Sequence, residues 1–214
     1  MRTVSFLDLQ TADLEVGTTY ECGEGGALRG EPINRLLVVG NRGGIRPRNI
    51  RDSYGNAVPG RIAYIALFVT GLVPEWPDRY DTETQTLIYY GDNRKPGKDI
   101  LHTSRRGNIA LKNAFESATA DRAGVAPFFV FERVSGSRDV MFLGCAVPGS
   151  RHVPPREDLT VEWNVSGGQL FRNYRGVFTV LGCQSISRSW INDLQVGLGA
   201  GLSAPHEWMD WIRA

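Results

Sequence analysis

Short runs of aliphatic, β-branched and aromatic residues recur along the chain, and turn-forming residues such as Ser166-Gly167-Gly168 separate most of them. Runs of this length and composition predict β-strands, and the glycine-containing separators predict tight turns. The predicted strands comprise residues 36–39, 62–70, 86–90, 127–134, 140–147, 159–165 and 176–181. The pattern therefore predicts a protein dominated by strands.

Two stretches have the spacing of an amphipathic helix instead. In residues 108–117, Asn108 is suited to cap the first turn, and the apolar residues share one face. In residues 205–213, Pro205 suits a first helical turn, and an apolar stripe follows at Trp208, Trp211 and Ile212. Many strands with few helices predict an α+β fold, with a curved, partly closed β-barrel flanked by helices.

The composition fits one folded domain over residues 1–214. Apolar residues make up 42% and charged residues 22% of the 214 positions, which is ordinary for a globular protein. The core is expected within about residues 14–183, with the helix at 205–213 after it. The three cysteines include no C-x-x-C pair, and no apolar run has the length of a signal peptide or membrane span. These features predict a cytoplasmic protein with reduced thiols, no structural metal and no membrane contact.

The net charge is only +1, so a nucleic-acid surface would have to come from local clusters of lysine and arginine. Two such clusters occur. The first, interpreted here as a flexible loop, holds Arg42, Arg46, Arg48 and Arg51, and the second holds Arg94, Lys95, Lys98, Arg105 and Arg106. Each alone is typical of a solvated surface loop, whereas together they could straddle a phosphate backbone.

Aromatic side chains and a carboxylate lie between the two clusters, at Trp76, Asp78, Tyr89 and Tyr90. A base flipped out of a duplex needs rings to stack on and hydrogen-bond partners for its Watson–Crick edge. A carboxylate accepts from the N4 amino group of cytosine, whereas thymine presents a carbonyl oxygen there, so Asp78 would favour cytosine. The alternative is structural: one tyrosine packs in the core, and Asp78 caps a turn after Pro77.

No catalytic site is expected within the chain. Pro77-Asp78 followed by Asp92-Asn93-Arg94 approaches the nuclease pattern PD-(D/E)xK, but arginine stands where a lysine helps to activate water. The three histidines are scattered, and no glycine motif has the spacing of a phosphate-binding or dinucleotide-binding loop. We therefore expect no metal and no cofactor, and leave open whether the chain works as part of an enzyme.

Four segments, taken in order, resemble one protein family: residues 39–46 (VGNRGGIR), 64–71 (YIALFVTG), 89–93 (YYGDN) and 105–108 (RRGN). They are similar to the N-terminal half of modification-dependent restriction endonucleases of the AspBHI and MspJI type. That half is an SRA-like domain, PUA-like in fold, which flips 5-methylcytosine out of duplex DNA. The resemblance implies context-dependent binding of double-stranded DNA that contains 5-methylcytosine or 5-hydroxymethylcytosine, and a nuclease domain after the C-terminal helix.

The resemblance also implies roles for residues of the base pocket. Asp78 would accept the hydrogen bond from cytosine N4, with Asp81 as the competing carboxylate. Tyr89 would stack on one face of the base. Trp76, or Tyr64 as second choice, would stack on the other face.

The loop tip at Asn41 and Arg42 corresponds to the part that enters the DNA groove at the vacated position, where Arg42 would hold the orphaned guanine. The remaining cations would contact phosphates or flanking bases: Arg46, Arg48, Arg94, Lys95, Lys98, Arg105 and Arg106. We also allow for a homo-oligomer. The competing interpretation is a PUA-like or EVE-like reader of another modified base, or of RNA, without an attached nuclease.

Overall fold

The computed structural model describes residues 2–40, 42–70 and 76–214, without the side chains of residues 27 and 28. The strands are β1 (Thr3–Val4), β2 (Leu14–Glu15), β3 (Thr19–Tyr20), β4 (Ile45–Arg51), β5 (Ala57–Val69), β6 (Arg79–Asp81), β7 (Thr86–Tyr90), β8 (Phe128–Arg133), β9 (Val140–Pro148), β10 (Leu159–Ser166), β11 (Gln169–Val180) and β12 (Ser185–Ile186). The α-helices are α1 (Gly26–Arg29), α2 (Pro32–Leu37), α3 (Gly107–Ala120), α4 (Arg188–Gln195) and α5 (His206–Arg213). Short 3-10 helices lie at Arg122–Gly124 and Pro155–Glu157.

One large mixed sheet forms the centre of the fold. Its strands follow the order β4-β5-β8-β9-β11-β7-β6, with β10 paired to the outer part of β11 and β3 paired to β9. The β5–β8 pair is parallel, and the other neighbours along this path are antiparallel. Within the described residues β4 and β6 stand at the two ends of the path. The fold is thus mixed α+β, while closure into a partial barrel stays a prediction.

Both faces of the central strands are buried. Along β5, Tyr64 belongs to one apolar cluster and the next residue, Ile65, belongs to the other; Phe128 and Phe129 alternate in the same way on β8. Consecutive side chains of a strand point to opposite faces, so uninterrupted apolar runs mark strands covered on both sides. Helices α2, α4 and α5 contribute to the first cluster, and α3 contributes to the second.

Most predicted strands are confirmed, but the strand at residues 36–39 is wrong. Helix α2 extends to Leu37 instead, and Glu31 caps its first turn by accepting a 2.6 Å hydrogen bond from the Asn34 N–H. Pro32 provides the fixed backbone angle that suits a first turn. A short apolar run does not by itself distinguish a strand from a buried helix.

Two further expectations need correction. Residues 42–51 are not a flexible loop throughout, because β4 begins at Ile45 and pairs with β5. Asn108 does not cap α3, since the capping position is Arg106 and the Asn108 side chain is buried.

Helix α5 agrees with its prediction, whereas α4 was not predicted. No helix within the described residues is long and apolar enough to cross a membrane.

Candidate nucleic-acid interface

Asp78 lies just before β6 and is half-buried. Its Oδ1 accepts a 2.9 Å hydrogen bond from the Tyr90 N–H, which anchors the carboxylate to the end of β7. Burial raises the pKa of Asp78 to about 6, against the opposing effects of that hydrogen bond and of the positive charge of Arg94. Within the described part of the chain, Oδ2 has no hydrogen-bond partner. The carboxylate is therefore ionised at neutral pH and has an oxygen available for a ligand.

Aromatic rings surround this carboxylate, although in a different arrangement from the predicted one. The buried ring of Trp76 packs on Tyr90 at 5.2 Å between centroids and meets Phe171 edge-on at 5.6 Å. The Tyr90 hydroxyl donates to Glu162 on β10 at 3.2 Å. Tyr90 rather than Tyr89 is therefore the tyrosine that packs on Trp76.

Tyr89 points into the apolar cluster under α3 and is only 1% exposed. Its hydroxyl donates to the Phe68 carbonyl at 3.3 Å, and a Cβ added to Gly44 would lie 2.3 Å from the hydroxyl oxygen. Burial, followed by the negative charge of Asp78, raises the pKa of Tyr89. The Tyr89 hydroxyl thus connects the region of Asp78 to the segment before β4, and only glycine fits at position 44.

The two second-choice pocket residues do not join this group. Tyr64 is fully buried in the cluster on the opposite sheet face, where its hydroxyl donates to the Leu37 carbonyl at 2.7 Å. Asp81 is half-buried and accepts from the N–H groups of Thr84 at 3.4 Å and Glu83 at 3.0 Å, turn contacts that lower its pKa. Tyr64 therefore acts in packing, and Asp81 acts in a turn.

Arg46 is buried beneath the first basic segment, residues 42–51, where it binds backbone carbonyls. This position differs from its expected contact with DNA. Arg46 is 4% exposed, and its Nε donates to the Gly43 carbonyl at 2.7 Å. Its Nη1 donates to the Gly40 carbonyl at 3.2 Å and pairs with the Glu31 carboxylate at 2.7 Å. The guanidinium also lies 5.3 Å from the centre of the Phe68 ring. Its Nε and Nη1 donors are used within the protein and the side chain is buried, so Arg46 stabilises the turn and is poorly placed to contact a phosphate.

Arg48 is also turned inward in part. It is half-buried, and its Nη1 donates to the Val38 carbonyl at 3.1 Å. Desolvation lowers its pKa. Arg42, by contrast, is exposed. Asn41 lies outside the described residues.

The cations of the second segment all face solvent. They are Arg94, Lys95, Lys98, Arg105 and Arg106. Polar residues of the same segment turn inward and fix its course. Asp92 accepts from the N–H groups of Gly107 at 2.9 Å and Asn108 at 3.0 Å, which caps the start of α3.

Two fully buried asparagines complete this frame. Asn108 accepts from the Asp92 N–H at 2.8 Å and donates to Asn173 Oδ1 at 3.0 Å. Asn173 donates to the Gly91 carbonyl at 2.8 Å and accepts from the Asn93 N–H at 3.2 Å. A Cβ on Gly91 would lie 1.9 Å from the Asn108 Oδ1, so glycine is required there. The network ties the base of the basic segment to β11 and α3.

The structure brings the two basic segments together. A Cβ on Gly43 would lie 3.7 Å from Cγ of Arg105. A cavity of about 330 Å³ lies at this junction, and it is lined by Val39, Gly40, Arg42, Ile45, Arg46, Pro47 and Arg105. A larger cavity of about 920 Å³ lies near α5 and the end of α3, and none of its lining residues belongs to the Asp78 group or to the basic segments.

Sequence reasoning missed the framing residues, namely Asp92, Asn93, Asn108 and Asn173. Asp92 and Asn93 follow Gly91 directly, and Asn108 follows Gly107, which was a readable sign of a close backbone approach. Asn173 carries no comparable local signal, because its partners lie 80 or more residues away along the chain or on α3. Within the described residues, no group of three or more His, Cys, Asp and Glu side chains is placed to hold a metal ion.

A half-buried carboxylate among aromatic rings, bordered by exposed cations on two adjoining segments, places the protein in the class of nucleic-acid recognition domains. More narrowly, the chain belongs to the family of restriction endonuclease AspBHI N-terminal domains, whose family model matches residues 14–214. No curated protein sequence matches the chain.

Solved structures agree with this family. The DNA recognition domain of the cytosine modification-dependent restriction endonuclease LpnPI is 35% identical, with a TM-score of 0.85 over 100% of this chain and 93% of that one. The DNA modification-dependent restriction endonuclease AspBHI is 35% identical, with a TM-score of 0.88 over 99% of this chain and 53% of that one. The chain is therefore homologous to DNA recognition domains of modification-dependent restriction endonucleases.

A more distant structure shares the fold alone. The MspJI restriction endonuclease in complex with a 27-mer oligonucleotide is 19% identical, with a TM-score of 0.66 over 97% of this chain and 52% of that one. This chain thus spans about half the length of the AspBHI and MspJI chains.

Proposed function

We propose that this chain binds double-stranded DNA containing 5-methylcytosine or 5-hydroxymethylcytosine and flips the modified base out of the helix. The observation that carries the proposal is the carboxylate of Asp78, which Tyr90 holds in place beside Trp76 with one oxygen directed to no described partner. Cytosine N4 is a donor that this oxygen accepts, and the carbonyl of thymine would repel it. The pocket therefore selects cytosine by charge.

Stacking on the flipped base is assigned to Trp76 and Tyr90, which lie beside the Asp78 carboxylate. Trp76 and Tyr90 already pack as a pair, whereas Tyr89 is 1% exposed on the opposite face of the sheet and is not assigned to stacking. Base stacking on an aromatic ring replaces part of the few kcal/mol that unstacking costs. Tyr64 and Asp81 have no part in this proposal because their contacts lie elsewhere.

The two basic segments would grip the duplex around that nucleotide. Arg42 and Arg105 line one cleft, so they can contact the same stretch of DNA backbone. Each neutralised phosphate releases counterions, which supplies affinity without regard to sequence. Arg42 belongs to the predicted groove-entering tip and is assigned to the gap that the flipped base leaves.

At the level of the whole protein, we propose that the chain is the recognition part of a modification-dependent restriction endonuclease. AspBHI and MspJI extend to about twice the matched length, which leaves room for a nuclease domain in a polypeptide of that kind. Recognition and cleavage would then lie in separate domains. Homo-oligomerisation stays a prediction.

The test is fluorescence polarisation with labelled duplexes that differ only in one methyl group on one cytosine. The modified duplex is expected to bind several-fold more tightly than the unmodified one at moderate salt. Asp78→Ala is expected to abolish that preference and to retain the affinity for unmodified DNA, whereas Asp81→Ala should leave both unchanged. Equal affinity of the unaltered protein for both duplexes would refute the proposal.

A further inference from the structure

An exposed apolar face lies on the hairpin of β10 and β11. Val161, Trp163 and Val165 alternate along β10 and therefore share one face, with exposed fractions of 43%, 62% and 55%. Leu170, opposite Val165 in the register, is 66% exposed, and Arg172 is opposite Trp163. Single exposed apolar residues are ordinary, but four on one face of the same ribbon indicate a binding surface.

This face adjoins the second basic segment directly. The Arg172 guanidinium lies 5.8 Å from the centre of the Trp163 ring and 3.6 Å from the Asp99 carboxylate. The Arg172 carbonyl accepts a 2.8 Å hydrogen bond from the Asn93 side chain, next to Arg94 in the chain. Trp163 is therefore connected to the cationic surface through a single residue, Arg172.

Charge and area favour nucleic acid over protein as the occupant. The cations beside the face are exposed, while the nearby carboxylate of Asp99 is already paired with Arg172. A partly covered tryptophan, two valines and a leucine supply well under the roughly 800 Å² that each partner buries in a standard stable complex. The face is thus too small for a stable protein partner, but it suits an accessory contact at the edge of a larger, charged interface.

We propose that this hairpin face binds the duplex alongside the second basic segment, with Trp163 packing against the nucleotides there and Arg172 fixing the position of its ring. The inference rests on the proposed function, because it places the hairpin next to the same DNA. Apolar and aromatic side chains are used in this way against exposed base steps and sugars. The contact adds affinity for any duplex and leaves the choice of base to Asp78.

The experiment compares Trp163→Ala with Trp163→Phe and with Leu202→Ala, a control at a fully exposed leucine remote in sequence from the hairpin. Binding to modified and unmodified duplexes is measured by fluorescence polarisation on the full chain. Trp163→Ala is expected to weaken both by about tenfold, the size of one lost ring–base contact. Trp163→Phe should recover most of the affinity, and Leu202→Ala should bind like the unaltered protein.

A second measurement does not depend on affinity. Acrylamide quenching of tryptophan fluorescence should fall when DNA is added to the unaltered protein, and this protection should be largely absent in Trp163→Phe. Unchanged affinity of Trp163→Ala for both duplexes would overturn the inference. Slower sedimentation of Trp163→Ala than of the unaltered protein, both without DNA, would also overturn it, because that result would indicate a second copy on this face. Equal affinity of the unaltered protein for modified and unmodified duplexes would instead overturn the proposed function.

Discussion

The two basic segments have similar compositions but opposite orientations. In the first, Arg46 is buried and Arg48 is half-buried, so its cations mainly hold the protein together. In the second, every cation is exposed, and the uncharged or acidic residues Asp92 and Asn108 turn inward to fix the backbone. Arginine can perform both tasks because its guanidinium has five donors in a fixed plane.

A cluster of arginines in a sequence therefore does not by itself define a DNA-binding surface. The number of backbone carbonyls within reach decides how many guanidinium donors remain for phosphate. Gly40 and Gly43 expose their carbonyls to Arg46, and the close turn at these glycines is what draws the side chain in. Arg42 and Arg105 remain outside, and they are the pair that this comparison assigns to DNA.

The largest expected effect comes from Arg46→Ala. The change leaves the carboxylate of Glu31 largely buried without its partner and frees both carbonyls of the turn, so we expect a loss of about 3–4 kcal/mol of unfolding free energy. Urea denaturation measures it. Arg42→Ala is the matched control from the same segment and should change stability by less than about 0.5 kcal/mol. Equal effects of the two variants would remove the distinction between inward and outward arginines.

Asn173→Ala tests the inward frame of the second segment. Removal of this buried amide takes away the partner of the Gly91 carbonyl, the partner of the Asn93 N–H and one of the two acceptors of the Asn108 amide, at a cost of about 2–3 kcal/mol. Hydrogen exchange should then become faster at Asn93 and along the basic segment. Asn113→Ala, on the exposed side of α3, is the control and should alter neither quantity. Unchanged protection in Asn173→Ala would show that the segment is fixed by other means.

Asp78→Asn should make the free protein more stable at pH 8 by about 1–2 kcal/mol, with a smaller gain at pH 5. Burial raises the pKa of Asp78 to about 6. The folded protein therefore retains a proton that the unfolded chain releases, and this contribution to stability is lost as the pH rises through 6. Urea denaturation at both pH values measures it. Asp81→Asn should give no gain, because the pKa of Asp81 is lowered, and a gain that is equal at both pH values would contradict the assignment.

Arg105→Ala should have the smallest effect. Because the side chain is exposed, stability should be unchanged, while modified and unmodified duplexes should both bind more weakly. The slope of log affinity against log salt should become shallower by about one unit, as expected for one lost phosphate contact. A lost preference for modified DNA with an unchanged salt slope would mean that Arg105 reads a base instead.

Much of the sheet was predictable because its strands are buried on one or both faces and carry long apolar runs. Residues 86–90 match β7 at both ends, and the predicted strand at 140–147 differs from β9 by one residue. The helix α2 was not predictable in the same way, since a run of four apolar residues has no clear period. Its signal lay outside the run, in the Glu31 cap and Pro32.

The candidate site was predictable in part. Asp78 and Trp76 do lie together. A choice between Tyr89 and Tyr90 as the tyrosine beside them, however, required knowledge of the strand register. Tyr89 pairs with Gly176 and Tyr90 pairs with Arg175, so the two rings point to opposite faces of the sheet. A local sequence cannot show which face is covered by α3, because that depends on a helix that begins 17 residues after Tyr90.

A crystal structure of the protein with a duplex containing one 5-methylcytosine is the decisive test of base flipping. We expect the modified base outside the helix, with its N4 within hydrogen-bond distance of the Asp78 carboxylate and its ring beside Trp76. A modified cytosine that remains stacked and paired with guanine, with Asp78 distant from it, would rule out base flipping by this protein.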